Sequence, residues 1–222
     1  MATWVAHFRL AEALLNHGLN VDRRSFLVGN IAPDSGVHNA DKTGYVPTAE
    51  VSHWRSESKD IDFEQFYADH LAGKAFRPDE YAFRLGYYCH LLADQIWTET
   101  VWRPKSETPL YAEPLAKDPQ FVWEIKKDWY GLDFLYLNEN PQSIFFTDFV
   151  EIESVPDYID DIFPSGAFTK RVKDTQAFYL NPSSWELNRP YIYLNRQEWD
   201  DYVARSLTAI QDALAEKQLM LI

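Results

Sequence analysis

Cysteine is almost missing from this chain: Cys89 is the only one in 222 residues, so no internal disulfide can staple the fold. Positive charge is also scarce. Lys and Arg number 21 against 34 Asp and Glu, a formal net charge of −13, which excludes a surface that grips nucleic-acid backbone or an anionic bilayer nonspecifically. A small phosphate-bearing ligand is still allowed, because bound divalent cations reverse the sign locally. No run approaches the roughly 18–20 apolar residues of a membrane span. The stretch Met1-Ala2-Thr3-Trp4-Val5-Ala6-His7 has neither the basic start nor the apolar run of a signal peptide. The expectation is a soluble, cytoplasmic protein.

What the chain has instead is apolar and aromatic mass. Hydrophobic residues make up 46 % and aromatics 16 %, with eight Trp, thirteen Tyr and fourteen Phe. That is enough to bury one substantial core, so residues 1–222 are expected to form a single domain. Aromatic residues fill cores and line pockets alike, and composition does not separate the two uses.

The pattern of those residues is helical. Thr3 is placed to cap a first helix running to about Asn16, with Trp4, Phe8, Ala11 and Leu15 at helical spacing and Gly18 closing it. Asp22 is placed to cap a short second helix through Ile31, stopped by Pro33. A polar loop is expected from Asp34 to about Val51. The best helix spans about Pro78 to Trp102, with a stripe of Phe83, Tyr87, His90, Asp94, Trp97 and Val101. Another begins at Asp118-Pro119 and runs to about Leu137 through Phe121, Ile125, Trp129, Leu132 and Tyr136. A last one runs from about Gln197 to Glu216. Tyr191–Leu194 is the only stretch resembling a strand. The expected class is all-α: a multi-helix bundle with irregular loops over one end, residues 155–196 being the irregular segment expected to cover the site.

Chemistry concentrates in His90-Leu91-Leu92-Ala93-Asp94. Four residues apart on a helix, the two side chains share a face about one turn apart, which suits two ligands of one ion. They also interrupt an apolar stripe, where a carboxylate costs several kcal/mol unless it is paired or metal-bound. An internal His–Asp hydrogen bond, or a basic partner for Asp94, would satisfy the same constraint. His7 beside Ala11 and Leu14, Asp34 after Pro33, and His53 in Ser52-His53-Trp54 have equally plain explanations when each is taken alone. His17, His38 and His70 read as surface residues, and Cys89, facing away from His90, as core. There is no Gly-rich phosphate loop, no Gly-x-Ser-x-Gly and no Cys-x-x-Cys. The contiguous His-Asp pair of the His-Asp-domain phosphohydrolases is also absent.

The order of these residues carries more than any one of them. Trp4…His7, Gly29-Asn30-Ile31-Ala32-Pro33-Asp34, Ser52-His53-Trp54 and Gly86-Tyr87-Tyr88-Cys89-His90-Leu91-Leu92-Ala93-Asp94 together resemble the zinc-dependent phospholipase C family, whose helical scaffold is shared by the single-strand-specific zinc nucleases. The resemblance covers roughly the first hundred residues. It implies that His53, His90, Asp94 and Asp34 surround one ion, that His7 serves a second with Asp94 able to bridge, and that Asp34 orients or deprotonates the attacking water. The family's mature amino-terminal Trp gives its free amine to a metal, whereas Trp4 is internal. Thr100 stands near the position of a further family histidine, and no histidine follows His90 to form the later His-x-x-x-Glu pair. One or two Zn2+ ions are therefore expected rather than three.

Asp128 falls in the stripe of Phe121, Ile125 and Leu132 and is the candidate carboxylate for a weaker second site. Such a position tolerates Mn2+ or Mg2+ as well; an ion pair with Lys or Arg is the competing explanation for it. Glu99 and Asp133 are weaker candidates. The function implied is metal-dependent hydrolysis of a phosphodiester or phospholipid head group, with a small phosphoester or phospholipid as partner. The alternative is a metal-containing structural or ligand-binding protein without turnover.

Overall fold

In the computed structural model, which describes residues 1–56, 60–182 and 185–219, the chain is all-helical apart from one small hairpin. Among the described residues ten α-helices follow in chain order: α1 Trp4–Asn16, α2 Arg23–Gly29, α3 Ala49–Ser52, α4 Phe63–His70, α5 Pro78–Trp97, α6 Arg103–Ser106, α7 Pro109–Lys117, α8 Val122–Glu139, α9 Ala167–Tyr179 and α10 Arg196–Glu216. Strands β1 Val37–His38 and β2 Tyr45–Val46 pair antiparallel, with Val37 opposite Val46 and His38 opposite Tyr45. No helix among the described residues is long and apolar enough to cross a membrane.

The expected end signals act largely as read. Pro78 opens α5 with Asp79 and Glu80 in its first turn, where carboxylates complement the helix dipole. Asp22 accepts from the Ser25 amide at the start of α2. α10, read as starting near Gln197, begins at Arg196 on a reciprocal capping box of Asn195 and Glu198 that the sequence reading did not name. Asp118 caps a tight turn, Pro119–Phe121, that leads into α8. Thr3 precedes α1 as expected, but its hydroxyl makes no cap bond; it donates to the buried carboxylate of Asp133 at 2.6 Å.

Other expectations need correction. The helix read as ending at Trp102 is regular only to Trp97, then widens into a π-type turn over Thr98–Trp102 before α6. Such bulges relax the strict 3.6-residue period. The loop after Asp34 contains the hairpin and α3. Tyr191–Leu194 forms no strand; the Tyr193 and Leu194 amides turn instead to Asp128. Within 155–196, α9 is a regular helix of 13 residues.

α5 is the axis of the fold. Its stripe of Phe83, Tyr87, His90, Asp94, Trp97 and Val101 is buried as expected, but so are Leu85, Tyr88, Cys89 and Leu91 on other faces, because α2, α4, α1 and α10 pack around it. The tightest crossing is with α2. A Cβ on Gly29 would strike the Phe83 carbonyl, and one on Gly86 the Phe26 carbonyl, well inside van der Waals distance. These two glycines let the backbones touch. Around the axis, aromatic edges fill the core: Trp97 meets Trp129 at 5.0 Å and Tyr202 at 4.9 Å, and Tyr87 stacks on Phe66 at 4.6 Å.

Candidate metal centre

The close α2–α5 crossing places the residues that follow α2 over the middle of α5. The turn Ala32–Asp34 starts there, with Pro33 in its first turn forcing the chain out of the helix, so Asp34 points back toward His90. α3 is anchored from below, because the Tyr87 hydroxyl donates to the Ser52 carbonyl at 2.5 Å. That fixes His53, the residue ending α3. α1 contributes His7 from its buried face.

The structure thus brings together five of the six residues singled out in the sequence. His7, His90 and Asp94 form one triad and Asp34, His53 and His90 another, with ligand atoms within 4.8 Å of each other in each triad. His7, His53, His90 and Asp94 are buried, and Asp34 is partly open. His53 Nε2 lies 3.4 Å from Asp34 Oδ1 and 3.6 Å from Asp94 Oδ2; His90 Nε2 is 3.6 Å from Asp94 Oδ2; His7 Nε2 is 3.5 Å from Asp94 Oδ1. These separations are long for charge-assisted hydrogen bonds. They suit neighbouring ligands of one tetrahedral ion, which sit about 3.3 Å apart when each is about 2.0–2.1 Å from the metal.

The outer faces of four of the five groups are pinned. His90 Nδ1 is 2.7 Å from the Asn30 carbonyl, so that ring nitrogen carries the proton and Nε2 keeps its lone pair. His53 Nδ1 is 3.0 Å from Ser52 Oγ. Asp34 Oδ2 accepts from Trp4 Nε1 at 2.7 Å, and Asp94 Oδ1 accepts from the Ala2 amide at 2.7 Å. The inner faces are not. Both ring nitrogens of His7, and His53 Nε2, His90 Nε2 and Asp94 Oδ2, are buried without a hydrogen-bond partner. Buried polar atoms are rarely left so, and several orphaned atoms converging on one point fit a metal ion.

Electrostatics keep His7 neutral and both carboxylates ionised. Burial, helped by His90, pulls His7 down to about 4, keeping it a neutral donor. Burial opposes ionisation of Asp94, yet the amino terminus, His90 and His7 hold its carboxyl well below the usual carboxylate range. Burial opposes ionisation of Asp34 too, but His53 and His90 hold it low. Burial likewise disfavours protonation of His90, while Asp94 and Asp34 push its pKa above the ordinary histidine value. Cys89 is buried and its thiol is pushed up by that burial.

Asp128 is the sixth residue, and the structure does not bring it there. It belongs to neither triad. Arg189 Nε approaches its Oδ1 to 3.2 Å, and the Tyr193 and Leu194 amides donate to Oδ2 at 2.7 and 3.4 Å. The cost of burial that marked it is met by a cation and two backbone donors. Glu99 accepts from Gln95 at 2.6 Å instead, and Asp133 is held by Thr3 and Tyr179. His70, read as a surface residue, is half-buried with its ring stacked on Phe66 at 5.0 Å.

Four outer partners were missed by the sequence reading: Ala2, Trp4, Asn30 and Ser52. Trp4, Asn30 and Ser52 lie inside the quoted motifs, but only their folded positions show what they hold.

The group opens onto a cavity of about 450 Å3 bordered by Asp34, His53, Ser52, Trp4, Trp123, Trp129, Tyr130, Lys126 and Arg171 among others. The aromatic mass therefore serves both uses, core and pocket.

Comparison with known proteins agrees with the motif order. The family model described as zinc dependent phospholipase C matches residues 6–97, the stretch that carries His7, Asp34, His53, His90 and Asp94. Over that stretch the chain resembles this family. No curated protein and no solved structure matches the chain.

Proposed function

We propose that the protein is a zinc-dependent hydrolase of phosphoric esters, with His7, Asp34, His53, His90 and Asp94 holding the metal. One observation carries the reading: buried donors orphaned on their inner faces, four of the five pinned on their outer ones, meet at the edge of an open cavity. A zinc ion held by this set supplies a Lewis acid for phosphoryl oxygens. A site of about 450 Å3 suits a small phosphodiester or a phospholipid head group.

The chain's own residues supply the rest. Asp34 lies on the cavity wall, with Oδ2 fixed by Trp4. A carboxylate held below its usual range keeps little affinity for a proton, so Asp34 acts mainly by orienting the attacking water as a hydrogen-bond acceptor. Asp94 and His90, fully buried, cannot reach bulk solvent and serve the metal alone. Trp4, Trp129 and Tyr130 exclude water from the reacting centre.

The test is elemental analysis of protein purified without chelator, followed by assay against phosphodiester and phosphomonoester substrates. Zinc at one to two ions per chain with hydrolysis is expected. Asp34→Asn should abolish turnover while keeping much of the metal. A fully metallated but inert wild type would favour the non-catalytic reading, and a protein that takes up no metal on titration would end both.

A further inference from the structure

Two cations share the cavity wall with Asp34 and His53: Lys126 of α8 and Arg171 of α9. Neither is paired with a carboxylate among the described residues, although acidic residues outnumber basic ones by 34 to 21. Each is instead held over aromatic faces. Lys126 Nζ sits 4.8 Å from the Trp123 ring and 5.9 Å from Trp129, and the Arg171 guanidinium lies 5.0 Å from the Trp4 ring. Cation–π contact positions a charge without neutralising it. Arg171 Nε is buried and has no hydrogen-bond partner. The Trp4 indole that carries Arg171 is the same one that donates to Asp34, so the guanidinium stands one ring away from the metal-binding carboxylate.

Counting charge sharpens this. A single divalent ion would cancel the two carboxylates Asp34 and Asp94. Lys126 and Arg171 then leave two positive charges uncompensated in a cavity walled by Trp4, Trp123, Trp129 and Tyr130, where electrostatic attraction is screened less than in water. A guanidinium offers a planar fork of donors to phosphate or carboxylate oxygens, and an ammonium a mobile point charge.

We propose that Lys126 and Arg171 are specificity-determining residues that select phosphoric esters carrying more than one negative charge, either phosphomonoester dianions or diesters whose head group is itself acidic. This rests on the hydrolase reading above. The same pair disfavours a substrate with a quaternary-ammonium head group, since two like charges would face it across an apolar wall.

The experiment uses zinc-loaded full-length protein, with Lys126→Gln and Arg171→Gln keeping the side-chain stems on their aromatic rings. Inorganic phosphate binding is measured by calorimetry. Steady-state rates are measured on four aryl esters: a phosphomonoester, a diester with a carboxylate on the second alcohol, an uncharged-alcohol diester and a choline diester. Losing one charge-assisted bond should weaken phosphate binding and raise KM for the multiply charged esters about tenfold in each variant. KM for the uncharged-alcohol diester should move less than twofold, with zinc content unchanged. Which of the two charged esters responds more identifies the source of the second charge. Equal KM changes on all four esters, or variants that bind phosphate like wild type, would overturn the selectivity while leaving hydrolysis intact. Phosphate binding that depends on both residues in a protein inert toward every ester would overturn the hydrolase reading and retain the anion site.

Discussion

Gly86→Ala tests the link between the α2–α5 crossing and the metal centre. A Cβ at Gly86 would lie 3.0 Å from both the Asn30 amide nitrogen and Gly29 Cα, and closer still to the Phe26 carbonyl. Non-bonded heavy atoms want about 3.5 Å or more, so α2 must back away from α5 by on the order of 1 Å. That movement carries the Asn30 carbonyl off His90 Nδ1, stretching a 2.7 Å bond to the limit of hydrogen bonding at about 3.5 Å. Overpacking costs roughly 1–3 kcal/mol, which in a chain of this size lowers Tm by roughly 2–12 °C. Losing the outer partner of a ligating histidine weakens metal affinity about 10–100-fold. Thermal melting of the metal-free protein reads the first effect, and competition against a zinc chelator reads the second. Gly44→Ala is the control: a Cβ there meets only Asn39 Nδ2 at 3.6 Å, and both readouts should stay at wild-type values. A Gly86→Ala protein that melts lower yet binds zinc within twofold of wild type would refute the coupling. One that melts normally would refute the close crossing itself.

Three further outcomes are expected. Asp94→Asn keeps the shape of a buried donor but removes its charge; zinc should no longer raise Tm, whereas wild type in zinc at about 100 times its Kd should gain roughly 2.7 kcal/mol, or about 5–10 °C. Asp133, fully buried, is pushed up to about 8 by that burial against the pull of Thr3, Tyr179 and Arg9. Its unfolded carboxyl titrates near 3.8, so wild type loses stability as pH rises between these values, and the Tm of Asp133→Asn should gain on wild type from pH 5 to pH 9; parallel Tm–pH curves would show that Asp133 does not carry the effect. Trp4→Phe removes the 2.7 Å bond to Asp34 while keeping an aromatic wall, and should weaken zinc binding about tenfold with little change in the metal-free Tm; unchanged zinc affinity would show that Trp4 does not position Asp34.

Much of the scaffold was legible because helix periodicity and caps are local signals. α5, α8 and α10 announced themselves through stripes of fifteen residues or more, and Asp22, Pro78 and Asp118 marked the starts of α2, α5 and the turn into α8. The segments that escaped depend on distant partners. α4 and α7 are short, and their buried residues, Phe66 and Tyr111, pack on elements far off in sequence. The wide turn at Thr98–Trp102 keeps an apolar pattern that reads as ordinary helix. α9 has a weak stripe because polar Thr175 and Gln176 are buried, the latter donating to the carbonyls of Phe149, Val150 and Ile152. At the site, motif order brought five residues together on paper. Arg171 and Lys126 had no such signal, since an isolated cation in a helix looks solvated until the fold places it over an indole.

Asp94 and Asp128 show what a buried carboxylate in an apolar stripe does and does not reveal. Both sit on helices at core positions and both are fully buried, so the desolvation argument correctly demanded a partner for each. It could not say which partner. For Asp128 the answer lies in a segment without periodicity: Arg189 and the Tyr193 and Leu194 amides close around it, and its charge is matched within the chain. For Asp94 the surrounding groups are three histidines at 3.5 to 3.6 Å, of which His7 is held neutral, and one carboxylate oxygen has no hydrogen-bond partner. A carboxylate enclosed by a cation and backbone donors is structural. Asp94 accepts from one backbone amide, that of Ala2, while its other oxygen faces histidine nitrogens without a hydrogen-bond partner, an arrangement that a bound cation would complete.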